Sequence, residues 1–257
     1  MARNASVLSE WTESVSSDGR RRLHLLCRNE VAVQVERAIG AALGDRLPIR
    51  AADEGEWTHR YPLARPLTEE EVGFLELLGH VLTLRIGPPV VVAIALDWYK
   101  DPQSHEDPDL WADTHVGELI HEAKYAGSAP HAKKLVAELA QVMAQHPDLS
   151  QAEVVVSVPS HSPGHFSERL AKAVANVRKL PLAELTDNAA APVKDTPADE
   201  RPAREFAIEA ATIKRRSVIL IDDVCRSGES LRTAAAFLDS VGASSVSALV
   251  AVRTMRN

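Results

Sequence analysis

Two adjacent carboxylates, Asp222 and Asp223, follow the apolar run Val218–Ile221. Such a run, rich in β-branched residues, suits a strand buried on both faces. Acids at the carboxyl end of a parallel strand stand where such sheets open into a ligand crevice. Arg226-Ser227-Gly228-Glu229-Ser230 comes next, then an amphipathic helix expected over Leu231–Val241. The order of strand, acids, small polar loop and helix suits a sugar phosphate. Carboxylates accept hydrogen bonds from ribose hydroxyls, while loop amides and a helix N-terminus hold a phosphate. The bland alternative is an ordinary strand end with solvated acids.

Other residues invite chemistry less clearly. His105, Glu106, Asp107 and Asp109 have the ligand types of a divalent-ion site but no established metal spacing, so they read equally as a hydrated acidic loop. His161 and His165 are four apart, as on a zinc-binding helix, but Pro163 and Gly164 between them make a polar turn. Arg20-Arg21-Arg22 can meet a phosphate backbone or form a solvated strand edge. His121 and Lys124 share a helix face, where a structural role is the default.

The elements that would carry these groups alternate. Val116, Leu119, Ile120 and Ala123 recur at helical spacing; a second helix runs from Pro130 to His146, with Leu135, Leu139, Val142 and Met143 facing inward. Val154–Val158 reads as a buried strand ending at Pro159, the loop from Ser160 to His165 follows, and Ser167–Lys179 is a helix with Leu170, Val174 and Val177 on its inner face. Residues Asn188 to about Arg204 hold three prolines and mixed charge, a long connection that reads as a lid or a surface excursion. Gly242 caps the helix before a last strand, Ser245–Val252. The alternation predicts an α/β fold with a parallel sheet over residues 113–257.

Residues 1–112 read as a smaller α+β N-terminal unit of undefined role. A short strand is expected at Leu23–Leu26, and a helix over Glu30–Leu43 ended by Gly44. Thr68 with Glu71 forms a capping box ahead of Val72, Leu75, Leu78, Val81 and Leu82, and Val90–Leu96 is a buried strand. The proline-punctuated Asp101–Asp113 is a connector.

Composition sets the outer bounds. The chain has 257 residues and a formal net charge of −7, enough for one large domain or a domain with an extension. No apolar run approaches the roughly 18–20 residues that span a bilayer, and the N-terminal stretch lacks the apolar segment of a secretory signal. Cys27 and Cys225 define neither a zinc set nor a disulfide framework, so a reducing cytoplasm is expected. Mild acidity argues against nucleic acid as the main partner.

The stretch Val218–Ser230 resembles the phosphoribosyl pyrophosphate (PRPP) motif of type I phosphoribosyltransferases: four apolar residues, two acids, and a loop with Ser227, Gly228 and Ser230 where that motif has threonine, glycine and threonine. Two further stretches extend the resemblance to the competence protein F (ComF)-like subgroup. Ile120–Gly127 is similar to its helix ending in Lys-Tyr-x-Gly, and Val154–Pro159 with Phe166–Ala175 to its strand, turn and helix. The chain departs from that subgroup in having no cysteine-rich zinc ribbon, and Ser160–His165 carries histidines where arginines are usual.

The resemblance implies a Rossmann-like type I phosphoribosyltransferase domain that moves ribose 5-phosphate from PRPP to an unidentified, usually nitrogen, acceptor with release of pyrophosphate. It assigns Asp222 and Asp223 to the ribose hydroxyls and the surroundings of Mg²⁺, and Arg226, Ser227, Gly228, Glu229 and Ser230 to the 5′-phosphate. Glycine at 228 would let the backbone approach the phosphate closely. Pro159, Ser160, His161 and Gly164 would form the pyrophosphate loop, with Lys194, Arg201 and Arg204 closing over the diphosphate. A homodimer is the usual assembly. Two other readings stay open: a non-catalytic PRPP or nucleotide-binding regulator, and a ComF-like nucleic-acid-associated accessory protein.

Overall fold

The computed structural model describes residues 5–47, 56–159, 165–188 and 204–255. The chain opens with β1 (Ala5–Ser6), β2 (Leu8–Val15), β3 (Arg21–Cys27), α1 (Asn29–Ile39), β4 (His59–Leu63), α2 (Glu69–His80), β5 (Leu82–Leu84) and β6 (Val90–Trp98). A 3-10 turn at Pro108–Leu110 leads to α3 (His115–Lys124), α4 (Ala129–Gln145), α5 (Pro147–Ser150) and β7 (Val154–Ser157). Then come α6 (Phe166–Arg178), β8 (Leu182–Ala183), β9 (Thr186–Asp187), β10 (Phe206–Ala207), α7 (Ala210–Ile213), β11 (Ser217–Cys225), α8 (Glu229–Ser240) and β12 (Ser245–Arg253).

A seven-stranded sheet in the order β1-β5-β6-β12-β11-β7-β8 forms the centre. From β6 to β8 the pairings are all parallel; β1 and β5 add an antiparallel edge. Alternation along each strand sends side chains to two cores. Ile219 and Ile221 of β11 join one, with Ile94, Leu249 and Val155; Val218 and Leu220 join the other, with Ala95, Ala248 and Val156. The first core is covered by α1, α2, α3, α4 and α6, and the second by α7 and α8. The fold is therefore an α/β sandwich with a largely parallel sheet, as the pattern of strands and helices predicts. Burying each Ile or Leu contributes roughly 1.5–3 kcal/mol, which is why β11 reads as a run with no polar face.

β2, β3 and β4 make a separate antiparallel sheet whose inner residues Leu8, Leu23, Leu25 and Tyr61 pack into the first core. The expected boundary near residue 112 falls inside the larger architecture, because β1, β5 and β6 belong to the same sheet as β11 and β12.

Two local expectations change. The first helix stops at Ile39, since Leu43 bridges Leu63 and the Gly44 N–H donates to the Pro62 carbonyl, 2.8 Å, tying this stretch to β4. Val177 is 57% exposed; after α6 the chain turns back through Lys179 at φ 56°, and Leu180 packs against the core instead. No helix among the described residues is long and apolar enough to cross a membrane.

Candidate active site

Four neighbouring parallel strands, β6, β12, β11 and β7, end on one edge of the sheet at Trp98, Arg253, Cys225 and Ser157. After β7 the chain steps outward to β8, and later returns to place β11 on the other side of β7. Connections leaving β7 and β11 thus diverge, which makes the gap above these two strands the natural crevice of an open α/β sheet.

Asp222 and Asp223 stand at this gap, inside β11; the strand continues past them to Cys225. Being adjacent, they point to opposite faces. Asp223, only 4% exposed, is on the face of Ile219 and Ile221, where α3 packs, and accepts a hydrogen bond from Lys124 Nζ at 2.7 Å. Asp222 keeps some exposure, and its Oδ1 accepts from the Asp223 amide at 2.9 Å. Desolvation first, and the negative charge of Asp223 second, hold the Asp222 carboxyl well above the usual carboxylate range.

Lys124 arrives there because α3 is anchored at its other end. The Thr114 hydroxyl donates to the Trp98 carbonyl at 2.6 Å and accepts from the Gly117 amide at 3.0 Å, capping α3 on the end of β6. A Cβ at position 117 would collide with the Tyr99 carbonyl, so glycine is what lets α3 start so close to the strand. Beyond Lys124 the ring of Tyr125 is 68% exposed and lies 5.7 Å from Lys124 Nζ.

Behind the acids, Arg226 and Ser227 are exposed, and Gly228 precedes α8. Ser227 Oγ accepts from the Glu229 amide at 3.3 Å. Glu229 is occupied by Arg232, 2.7 Å away, and by Thr233, with the Arg232 hydrogen bond the main reason its carboxyl titrates below the usual range. The glycine expectation is refined here. Gly228 sits at φ 84°, and a Cβ would strike Ile86 Cδ1, so its smallness serves the packing of this turn beneath the loop. Ser230 lies exposed in the first turn of α8.

Arg253, 5% exposed and absent from the sequence-based candidates, donates from Nη1 to the Cys225 carbonyl at 3.3 Å and holds the start of the loop. The signal in the sequence is a lone arginine closing the apolar run Ala248–Val252. Burial raises the Cys225 thiol, which this arginine only partly offsets. Asp97, on the same edge, is also raised, chiefly by desolvation.

Of the expected pyrophosphate loop, Pro159 is described, while Ser160, His161 and Gly164 lie outside the described residues, as do Lys194 and Arg201. Arg204 is described and engaged: its Nε pairs with Asp187 at 2.6 Å and its Nη2 donates to the Pro159 carbonyl at 2.7 Å. It thereby ties the β9–β10 pair to the end of β7. Among the described residues no cluster of three or more His, Cys, Asp or Glu could hold a metal ion, so the acidic connector 105–109 forms no such group.

Comparison with known proteins points the same way as the loop. A profile of the family described as "Phosphoribosyl transferase domain" matches residues 127–257. Among curated proteins no sequence matches the chain. Solved structures similar to it include the purine phosphoribosyltransferase from Pyrococcus horikoshii Ot3, at 15% identity over 50% of this chain and 86% of that one, TM-score 0.36. An adenine phosphoribosyltransferase from Leishmania tarentolae aligns at 11% identity over 67% of this chain and 94% of that one, TM-score 0.45. The orotate phosphoribosyltransferase from Aeropyrum pernix aligns at 20% identity over 51% of this chain and 64% of that one, TM-score 0.37.

Proposed function

Because the chain belongs to the phosphoribosyl transferase domain family, we propose that the end of β11 binds PRPP and that the protein transfers its ribose 5-phosphate to an acceptor, releasing pyrophosphate. The observation that carries this reading is the acid pair with a small, exposed hydroxyl loop and the α8 N-terminus directly behind it. Asp222 and Asp223 accept hydrogen bonds from the ribose hydroxyls. Ser227, Ser230 and the amides around Gly228 take the 5′-phosphate, where the helix dipole favours negative charge. Arg226, exposed beside them, adds a charge-assisted bond.

Transfer breaks the bond from C1 to the diphosphate oxygen and forms one from C1 to the acceptor nucleophile, which loses its proton. The developing positive charge at C1 is favoured by a carboxylate beneath the sugar, and the 2.7 Å contact from Lys124 holds Asp223 in position for that task. Among the described residues the acid pair has no third metal-ligating neighbour, so Asp222 and Asp223 would give a Mg²⁺ ion at most a partial set of ligands; bound with PRPP, the ion would supply positive charge against the diphosphate. Support for a ComF-like placement comes from the resemblance of Ile120–Gly127, whose Lys124 pairs with Asp223.

One observation favours a regulator that binds without transferring. Arg204, the described lid candidate, is already committed to Asp187 and Pro159. Calorimetry with PRPP and Mg²⁺ tests the site: one molecule should bind per chain, and Asp222→Asn with Asp223→Asn, or Ser230→Glu, should weaken binding at least tenfold. Unchanged affinity in these variants would sink the proposal. Pyrophosphate release on incubation with a panel of bases and amines separates enzyme from regulator.

A further inference from the structure

Lys124 meets the acid pair with more donor capacity than Asp223 uses. An ammonium carries three N–H donors. One goes to Asp223 Oδ2 at 2.7 Å, and among the described residues Lys124 makes no second hydrogen bond. Of the two partners the lysine is the more open, its side chain 23% exposed against 6% for Asp223. A hydroxyl that approaches Asp223 from the crevice therefore comes up against the ammonium as well.

The ammonium is fixed from both ends of its helix. α3 runs from the end of β6, where Thr114 holds the Trp98 carbonyl, to the end of β11, across the intervening β12. It closes with the Tyr125 N–H on the His121 carbonyl at 2.9 Å and the Ser128 N–H on the Glu122 carbonyl at 3.0 Å. Gly127, at φ 68°, then turns the chain away into α4. A lysine in the last turn is also favoured by the helix dipole. A cation held this way loses little further freedom when a ligand arrives. A divalent ion on Asp223 would instead have to displace this ammonium, against the repulsion of like charges.

We propose that Lys124 binds the sugar directly: its ammonium donates one N–H to Asp223 and another to a ribose hydroxyl oxygen, whose own proton goes to the carboxylate. The positive charge at the ribose hydroxyls is then the protein's own, and the ribose half of the site binds without a divalent cation. The assignment rests on the end of β11 being a ribose-phosphate site. It makes Lys124 a binding residue, where an ordinary buried ion pair would only keep Asp223 in place.

Calorimetry with ribose 5-phosphate on the full chain tests it, in EDTA and in Mg²⁺, with Lys124→Met, Asp223→Asn and the two combined. The parent should bind equally well in both buffers. Lys124→Met should weaken binding by roughly tenfold or more, the contribution of one charge-assisted hydrogen bond. In the Asp223→Asn background the same substitution should weaken it again, since the lysine's contact with the sugar remains to be lost. Circular dichroism confirms the fold, and if Lys124→Met does not fold, Lys124→Gln takes its place in the cycle. No further loss in the Asp223→Asn background overturns the assignment, because a lysine that acts only through Asp223 has nothing left to do there. Binding much tighter in Mg²⁺ than in EDTA overturns it too. Binding lost in Asp222→Asn but indifferent to Lys124→Met overturns this assignment alone. A parent chain that takes up no ribose 5-phosphate at millimolar concentration overturns it together with the ribose-phosphate reading.

Discussion

At the scale of single residues, the decisive contact joins Lys124 to Asp223, 99 positions apart. Neither side chain stands out alone: the lysine ends an amphipathic helix, and the aspartate follows the apolar run Val218–Ile221 within β11. Removing the lysine leaves a carboxylate that is almost fully buried without its cation. Breaking such a pair costs roughly 3–5 kcal/mol when both groups are buried, and less here because the Lys124 side chain keeps 23% exposure. Lys124→Met should therefore lower stability by roughly 1–3 kcal/mol in denaturant melts. Lys124→Met combined with Asp223→Asn should recover part of that loss. Equal melting midpoints for Lys124→Met and the parent would show that the pair contributes nothing.

At the scale of elements, the turn between β11 and α8 depends on Gly228. Any Cβ there meets both an unfavourable φ of 84° and the Ile86 side chain. Gly228→Ala should cost about 1–2 kcal/mol and weaken PRPP binding, and adding Ile86→Ala should relieve the collision but not the backbone term. A Gly228→Ala protein with parental stability and affinity would refute this. Most such elements are legible in the sequence. The Thr68–Glu71 capping box forms with both reciprocal hydrogen bonds, and Val218–Ile221 is the buried strand its composition predicts. What escapes the sequence is set by distant partners. β11 runs on through its acids because Asp222 and Val224 still pair with Val250 and Val252. α1 ends early because β4 claims the residues after it. The Arg253 contact to the loop likewise needs the β11–β12 register, which no local pattern shows.

At the scale of the whole molecule, a buried imidazole binds the N-terminal helices to the rest. His146, fully buried at the end of α4, donates from Nε2 to Gln34 Oε1 of α1 at 2.9 Å. Gln34 donates to Thr83 of β5 at 2.9 Å, and the edge of Phe74 of α2 meets the imidazole ring, centroids 5.1 Å apart. Burial first, with the nearby Arg37 charge, depresses this histidine from 6.5 to about 4. The folded state thus resists a proton that the unfolded chain accepts. The resulting stability is fully present above about pH 6.5 and is lost as pH falls from there toward about 4. The loss is on the order of 3 kcal/mol. Asp148 and Asp222, both raised by burial, act in the opposite sense, gaining as pH falls. The measurement is therefore a difference: stability of the parent minus that of His146→Phe, followed from pH 7 to pH 4.5. It should shrink with acid, and a constant difference would refute the assignment.

The central sheet has one more consequence, for the order in which the protein can assemble. β12 lies between β6 and β11 and pairs with both, yet more than half the chain separates it from β6. Until β12 is in place, two apolar strands face each other across an empty slot, each with an unsatisfied row of amides and carbonyls. Closing a loop of that length is slow compared with forming the local hairpin of β2 and β3. The final insertion of β12 thus acts as a keystone: it joins the N-terminal strands to the β11 site and delivers Arg253 to the loop in one event.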